Sequence, residues 1–405
     1  MFLYLEGLPA PIRLCERSLP VADALASVLK DWPSRLDKSH DDRPVFMEIE
    51  RANDGFDIHR VDDGWRSRET DDLGVVSSTI IEIIDGYVAN GTGLGLLHAG
   101  SAEFAGRLLL FPASTLAGKS TLMTRLSAAG HKVFSDDLIP LDLATGEAVA
   151  TGCLPRPRLP LPPTATPEFS AFVESHVLAR DEYCAYIDPG VGRRAGFGDR
   201  RAIGAVVLLR RSTTRVAARI EPAPAEDVLW ALVSQDTRKD SVAADMLEDY
   251  LRLLSGLRFC QLHYSDLEDA VRCLEAEFAG WPSEDKDGAA VLERDAAPIA
   301  VGARYDDESG PRFQRAEHVD FRAVGQGGFV VDRRTNRIHH LNPTGLAIWR
   351  LLEGAATQDS VVSVFAEAFP DTPAETIAHD VDTSIGLLLQ LELIAVSSGE
   401  GGSER

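Results

Sequence analysis

The stretch Phe111-Pro-Ala-Ser-Thr-Leu-Ala-Gly-Lys-Ser-Thr121 decides the fold prediction for this chain. Within it, Ala113-x-x-x-x-Gly118-Lys119-Ser120 matches a phosphate-binding loop except for alanine at the first glycine position. A buried strand is predicted just before the loop and a helix just after it. Because a turn at a helix start directs backbone N–H groups and the helix dipole toward one point, this stretch predicts an anion site.

Apolar patterning on both sides of the loop predicts an α/β layer architecture. Strands are predicted over residues 107–111, 132–135 and 205–210, and helices over 75–88, 122–126, 225–234 and 242–254. Residues 1–74 are predicted as a mixed α/β region.

Two adjacent acids, Asp136 and Asp137, follow the predicted strand of residues 132–135, and Asp136 comes 17 positions after Lys119. One helix between two neighbouring strands would bring both carboxylates to the sheet edge that carries the loop. One carboxylate could then bind Mg²⁺ while the other accepts a proton from an attacking hydroxyl. A solvated Asp-Asp turn is the alternative at this position.

Residues 75–275 resemble the catalytic core of the HPr kinase/phosphorylase family and its stand-alone relatives. The resemblance rests on Leu97-His98-Ala99, on the loop, on Gly130-His131 and on Ser135-Asp136-Asp137, and His98 precedes Ala113 by 15 positions. It implies ATP and Mg²⁺ as cofactors and a P-loop kinase core of the HPr kinase C-terminal-domain type. The chain differs from the family at Ala113 and Leu116, which are usually glycine, and at Thr121.

The resemblance also implies a role for each matching residue. Lys119 and Ser120 would hold ATP and Mg²⁺, Asp136 would be the base on the acceptor hydroxyl, Asp137 would assist the magnesium and His98 would line the γ-phosphate site. The nucleotide-binding residues implied are Ala113, Ser114, Thr115, Leu116, Ala117, Gly118, Lys119, Ser120 and Thr121.

The proline-rich segment Leu154-Pro-Arg-Pro-Arg-Leu-Pro-Leu161 resembles one found in the stand-alone relatives. Arg156 or Arg158 could steady the transferring phosphoryl group, since catalysis of this transfer is mostly positioning and charge neutralisation. In the alternative interpretation, the prolines stiffen a segment that runs across the protein surface, and the arginines keep that segment soluble. Arg193-Arg194 and Arg210-Arg211 are further arginine candidates.

The C-terminal part is predicted as a small α+β winged helix-turn-helix domain. Strands are predicted over residues 321–324, 328–332 and 337–341. A helix begins at Asn342-Pro343, a second contains residues 361–368, and Thr372-Pro-Ala-Glu375 predicts the capping box of a third. Because this third helix carries acids and no lysine or arginine, DNA binding is not expected.

Residues 318–396 resemble the PqqD-like peptide chaperones of ribosomal natural-product pathways, through the string Ile338-x-x-Leu341-Asn342-x-x-Gly345-x-x-Ile348-Trp349-x-Leu351-Leu352-x-Gly354. In that family an extended leader peptide adds as a strand along the third strand and against the third helix. The peptide contacts that the resemblance implies are Arg337, His339, His340, Asp380, Ser384 and Leu387.

Composition sets the remaining expectations. A formal net charge of −22 argues against nucleic-acid partners. The absence of a signal peptide and of a membrane-spanning run predicts a cytoplasmic protein with no membrane partner. The predicted domains are residues 1–74, the kinase-like core 75–281, an acidic linker 282–316 that would make the domains separable, the winged-helix domain 317–396 and a flexible tail 397–405.

The sequence favours an ATP-dependent kinase that phosphorylates a hydroxyl, most simply serine, of a precursor peptide recruited by its own C-terminal domain. Two alternatives stay open: a non-catalytic nucleotide-binding peptide scaffold, and a kinase of a small free hydroxyl compound. The resemblance is also compatible with a homo-oligomer, since the resembled kinases often form ring-like oligomers.

Overall fold

The computed structural model describes residues 1–38, 44–112, 117–238, 241–281 and 310–397. These residues form two compact units that do not follow chain order. The first unit contains described residues within 1–223, 234–238 and 252–281, and the second contains 224–233, 241–251 and 310–397. Two helical stretches from the predicted kinase-like core therefore belong to the same unit as the C-terminal residues.

The helices and strands are numbered in chain order. The helices are α1 Leu19–Val28, α2 Asp72–Ala89, α3 Lys119–Ala128, α4 Pro167–His176, α5 Ala225–Gln235, α6 Ala243–Leu254, α7 Leu267–Phe278, α8 Pro343–Leu351, α9 Gln358–Ala368 and α10 Ala374–Gln390. The strands of the first unit are β1 Phe2–Leu5, β2 Ile12–Leu14, β3 Ser34–Asp37, β4 Met47–Ala52, β5 Gly55–Arg60, β6 Arg66–Glu69, β7 Gly95–Phe104, β8 Arg107–Pro112, β9 Val133–Ser135, β10 Leu138–Asp142, β11 Glu147–Val149, β12 Val177–Arg180, β13 Ala185–Ile187, β14 Arg200–Arg211, β15 Arg219–Pro222 and β16 Arg258–Tyr264. The strands of the second unit are β17 Arg312–Arg315, β18 Val319–Val324, β19 Gly327–Asp332, β20 Arg337–Leu341, β21 Ala356–Thr357 and β22 Ile394–Val396.

The first unit contains two large sheets. The N-terminal sheet has the order β3-β1-β2-β4-β5-β6. Helix α2 contacts strands of both sheets. Its apolar residues pack in the same hydrophobic core as the apolar residues of the N-terminal region. Asp71 caps α2 by accepting a hydrogen bond from the backbone N–H of Gly74.

The central sheet of the first unit has the order β11-β10-β7-β8-β14-β16-β15, and β9 also pairs with β7. Strands β8, β14 and β16 are parallel, so their carboxyl ends lie at the same edge. The strands and helices predicted around the loop are confirmed, within a few residues at their ends. The sequence did not reveal that β9 and β10 run successively along β7 with the two aspartates between them.

The second unit contains the three-stranded sheet β18-β19-β20 followed by α8, α9 and α10, as the sequence predicts. Trp349 and Ile348 of α8 are fully buried in its core. The predicted capping box at Thr372 is wrong, because the N-cap of α10 is Pro373, which has no side-chain cap bond. A second small sheet, β21-β17-β22, was not predicted, and it includes residues assigned to the end of the acidic linker. Residues 282–309 of that linker and the tail from 398 lie outside the described residues.

Strand β19 is buried on both faces. All six of its residues are buried, whereas only Val330 belongs to the core formed with the C-terminal helices. On the opposite face, the rings of Phe329 and His340 lie 5.1 Å apart, and His340 stacks on Trp230 of α5 at 5.7 Å. The Asn336 side chain donates to the backbone oxygen of Ser241 and accepts from the N–H of Ala243. A fragment beginning at Gly310 would therefore lack the helices that cover this face.

We expect Phe329→Ala to lower the free energy of unfolding of the full chain by about 3–5 kcal/mol, because the phenylalanine is fully buried. The matched control is Phe369→Ala, whose ring is 55% exposed and whose loss should have a much smaller effect. Chemical denaturation of both variants measures the difference. Equal stability of the two would contradict the burial of β19 on both faces.

Among the described residues, no helix is both long enough and apolar enough to cross a membrane.

Candidate functional site

Lys119 is the first residue of α3 and follows Gly118, the N-cap, whose φ of 89° suits glycine. The lysine is only 6% exposed, and its Nζ has no hydrogen-bond partner among the described residues. Burial lowers the pKa of Lys119 to about 8, although Asp137 and Asp136 act in the opposite direction. An unpaired buried amine at a helix N-terminus is a strong attractor for an anion.

Gly100 on β7 makes room for this lysine. A Cβ at position 100 would lie 2.9 Å from Cγ of Met123 and 3.0 Å from Cγ of Lys119. Because such contacts are too close for carbon atoms, a larger residue at position 100 would push aside the side chains of Met123 and Lys119. Gly100 was not predicted as a site residue, because no strand was predicted over it; a glycine inside a strand often marks a close approach.

Asp136 and Asp137 lie in the break between β9 and β10, where a local turn holds them. The Ser135 hydroxyl accepts from the N–H of Asp137 and donates to the carbonyl of Leu138. Asp136 is 5% exposed, and its Oδ2 accepts a 2.8 Å hydrogen bond from the backbone N–H of Arg156. Burial, followed by the charge of Asp137, raises the pKa of Asp136.

Asp137 pairs with His98 of β7, whose Nε2 lies 2.8 Å from Oδ1 of the carboxylate. Burial opposes ionisation of Asp137, but this hydrogen bond and the nearby positive charges outweigh it and lower the pKa of Asp137. The two neighbouring carboxylates therefore differ: Asp136 favours holding a proton and Asp137 favours its charge. Pairs with pKa values pushed apart are typical of acid–base sites.

Arg156 and Arg158 have different environments. The Arg156 side chain is partly buried, its guanidinium lies 5.8 Å from the ring of Tyr186, and its charge acts on both aspartates. Arg158 is exposed and contacts the backbone of Cys184 through an isolated β-bridge. The structure brings Arg156 to the aspartate pair and leaves Arg158 at the surface.

A cavity of about 20 Å³ adjoins the two carboxylates. That volume suits about one water-sized group. Its lining residues are Ser77, Ile80, Ile81, Ile84, Asp136, Asp137, Leu138, Cys153, Leu154, Arg156 and Tyr186.

The remaining loop and arginine candidates are placed as follows. Ser120 and Thr121 lie in the first turn of α3, whereas residues 113–116 lie outside the described residues. Arg194 forms a 2.7 Å ion pair with Asp31, and the backbone carbonyl of Arg193 accepts from the Ser127 hydroxyl. These contacts give Arg193 and Arg194 a local structural role.

In the second unit, the predicted peptide contacts lie on β20 and α10. Strand β20 pairs with β19 on one side and has no strand partner on the other among the described residues. Burial lowers the pKa of both His339 and His340. On α10, the Ser384 hydroxyl donates to the carbonyl of Asp380, and Leu387 is 54% exposed. A free sheet edge and an exposed apolar side chain are both present in this unit.

The chain thus combines an α/β unit that carries a buried lysine and an aspartate pair with a second unit built on a three-stranded sheet and a helical bundle. Residues 327–394 match the family model of PqqD, the coenzyme PQQ synthesis protein D. The C-terminal part of the chain therefore contains a PqqD-type domain. Among solved structures, the chain is similar to one described as TbiB1 in complex with the TbiA(beta) leader peptide, with 19% identity, a TM-score of 0.19, and coverage of 22% of this chain and 99% of that chain. No curated protein matches this chain.

Proposed function

We propose that this protein is an ATP- and Mg²⁺-dependent kinase that phosphorylates a hydroxyl of a precursor peptide recruited through its PqqD-type domain. The observation that carries the proposal is the convergence of Lys119, Asp136, Asp137 and His98 in one unit of a chain that also contains that domain. A role in peptide-modification biosynthesis follows from the PqqD match, and the kinase chemistry is inferred from the residues of the first unit.

The donor atoms near Lys119 suit magnesium. Carboxylate and hydroxyl oxygens are the ligands that Mg²⁺ prefers, and Asp137 and Ser120 provide them. The hydrogen bond with His98 uses Oδ1 of Asp137, so Oδ2 of the same carboxylate is left to bind magnesium. Bound magnesium would neutralise charge on the nucleotide phosphates.

Lys119 neutralises negative charge on the transferring phosphoryl group, because its amine has no competing partner. Asp136 accepts the proton of the acceptor hydroxyl while the hydroxyl oxygen bonds to the γ-phosphorus, and ADP leaves with the electrons of the broken P–O bond. The raised pKa of Asp136 makes it a stronger base than an exposed aspartate. The positive charge of Arg156 stabilises the negative charge of the aspartate pair.

The surroundings of Asp136 support a hydroxyl acceptor. A cavity of about 20 Å³ beside the carboxylates accommodates one hydroxyl-sized group. A peptide acceptor is supported by the PqqD-type domain, since one edge of β20 has no strand partner in the described part of the chain and could accept an added strand.

The test incubates the full chain with labelled ATP and Mg²⁺. One set of reactions contains precursor peptides encoded beside its gene, with and without the leader region, and another contains free serine. Label on serine of the leader-bearing peptide is the expected result. Label on free serine would favour a small-molecule kinase, and no label with retained ATP binding would favour a peptide scaffold.

A further inference from the structure

The side chains of β20 face two different sides of the second unit. Leu341 belongs to the core formed with the C-terminal helices, and His339 shares its side of the strand. Ile338 and His340 face the opposite side, where α5 lies. Helix α5 is outside residues 327–394, the part of the chain that matches PqqD. An earlier part of this chain therefore covers the second side of the PqqD-type sheet.

Helix α5 packs closely on the start of β19. Glu226 of α5 is only 9% exposed, and a Cβ at Gly327 would lie 3.0 Å from the Cβ of Glu226. A glycine suits this position because a side chain there would push against the helix. At the other end of the β19–β20 hairpin, Asn336 bonds to the backbone of Ser241 and Ala243 at the start of α6. The helices on this side are therefore held against both ends of the hairpin.

Trp230 of α5 is a partly exposed aromatic side chain beside β20. The rings of Phe329, His340 and Trp230 form a row, with distances of 5.1 Å and 5.7 Å between successive ring centres. Phe329 lies on β19 and His340 lies opposite it on β20, so the row continues toward the edge of β20 that has no strand partner within the described residues. Trp230 is 37% exposed. An apolar ring therefore borders the position that an added strand would occupy.

The opposite side of the sheet also presents an apolar side chain. Helix α10 shares the core of Leu341, and its Leu387 is 54% exposed. Because successive residues of a strand point to opposite faces, neighbouring residues of a peptide added along β20 would face different helices. One residue would face α10, and the next would face α5 and its Trp230.

We propose that a precursor peptide added as a strand along β20 packs an apolar side chain on the ring of Trp230, while its neighbouring residues face α10. The inference rests on the peptide recruitment in the proposed function and deepens it, because it specifies the peptide side chain on the α5 side. Burial lowers the pKa of His340, so its ring is uncharged at neutral pH and adds to an apolar surface. An acidic peptide side chain would be repelled by Glu226 and Asp227, whose charges act on His340.

The test measures binding of the full chain to a fluorescent peptide with the sequence of the leader region encoded beside its gene, by fluorescence anisotropy. Trp230→Ala should weaken binding by at least about 10-fold, since aromatic contacts that exclude water dominate peptide affinity. Trp230→Phe keeps an aromatic ring and should stay within about 3-fold of the wild type. Tyr183→Ala is the matched control, because Tyr183 is 69% exposed and belongs to the first unit, and it should leave the affinity unchanged.

Single alanine substitutions in the peptide locate the contact. A peptide residue that packs on Trp230 should weaken binding to the wild type when it is replaced, but should have little effect on binding to Trp230→Ala. The peptide residues that are coupled to Leu387 in the same way, with Leu387→Ala, should be separated from the first set by an odd number of positions.

Three results would overturn the proposal. Wild-type affinity in Trp230→Ala, or weaker binding with no peptide residue coupled to Trp230, would show that the tryptophan only stabilises the fold. Coupling of Trp230 and Leu387 to peptide residues on the same face of the strand would exclude a peptide held between α5 and α10. Each of these results leaves the kinase proposal intact, whereas a wild-type chain that does not bind the leader peptide would reject peptide recruitment itself.

Discussion

Replacing Lys119 with methionine is expected to lower phosphoryl transfer by about 10²- to 10³-fold or more while the protein stays folded. The side chain is 6% exposed and its amine has no partner among the described residues, so its charge is available to the phosphates. Methionine fills a similar volume without the charge. A transfer assay with labelled ATP measures the loss.

The same substitution should not destabilise the protein, because a buried unpaired ammonium group is itself unfavourable. The pKa of Lys119 falls from 10.5 to about 8 on folding, so the unfolded chain binds more protons between these pH values. The lysine therefore makes the free energy of unfolding rise with pH through that interval, and Lys119→Met should lack this contribution. Lys132→Met, at a partly exposed lysine 4.0 Å from Asp199, is the control and should retain transfer. Turnover within a few-fold of wild type for Lys119→Met would reject the phosphate site.

Asp136→Asn is the second change with a large expected effect, a loss of about 10²-fold or more in transfer. Asparagine retains the shape and can still accept the hydrogen bond from the N–H of Arg156, but it cannot take a proton from the acceptor. Because the base must be ionised, the wild-type rate should fall as the pH decreases through the raised pKa of Asp136. Rate measurements from acidic to neutral pH on both proteins test this dependence.

Asp137→Asn is the matched comparison, because it changes the neighbouring carboxylate and weakens the pair with His98. We expect it to affect the magnesium dependence of the rate more than its pH dependence. Folding should be preserved in Asp136→Asn, since burial already disfavours the charged form of this carboxylate. A larger loss of maximal rate in Asp137→Asn than in Asp136→Asn would reverse the roles assigned to the two acids.

Local patterns in the sequence predicted much of what surrounds the candidate site. The strand before the loop, the helix that begins at Lys119 and the strand before Asp136 are confirmed because each depends on apolar periodicity and turn residues close together in the chain. The winged-helix order of strands and helices is confirmed for the same reason. The kinase activity and its ATP and Mg²⁺ cofactors stay predictions.

The sequence by itself determined the helices and strands around the loop and their order in the C-terminal domain, because these depend on neighbours within a few positions. The residues that it proposes for the chemistry stay predictions. Only the tertiary structure decided that Gly100 gives Lys119 its space, that the backbone of Arg156 holds Asp136, and that helix α5 lies on the second face of β19. Each of these contacts joins residues far apart in the chain, and their pairing depends on sheet order and side-chain volume, which no local pattern encodes.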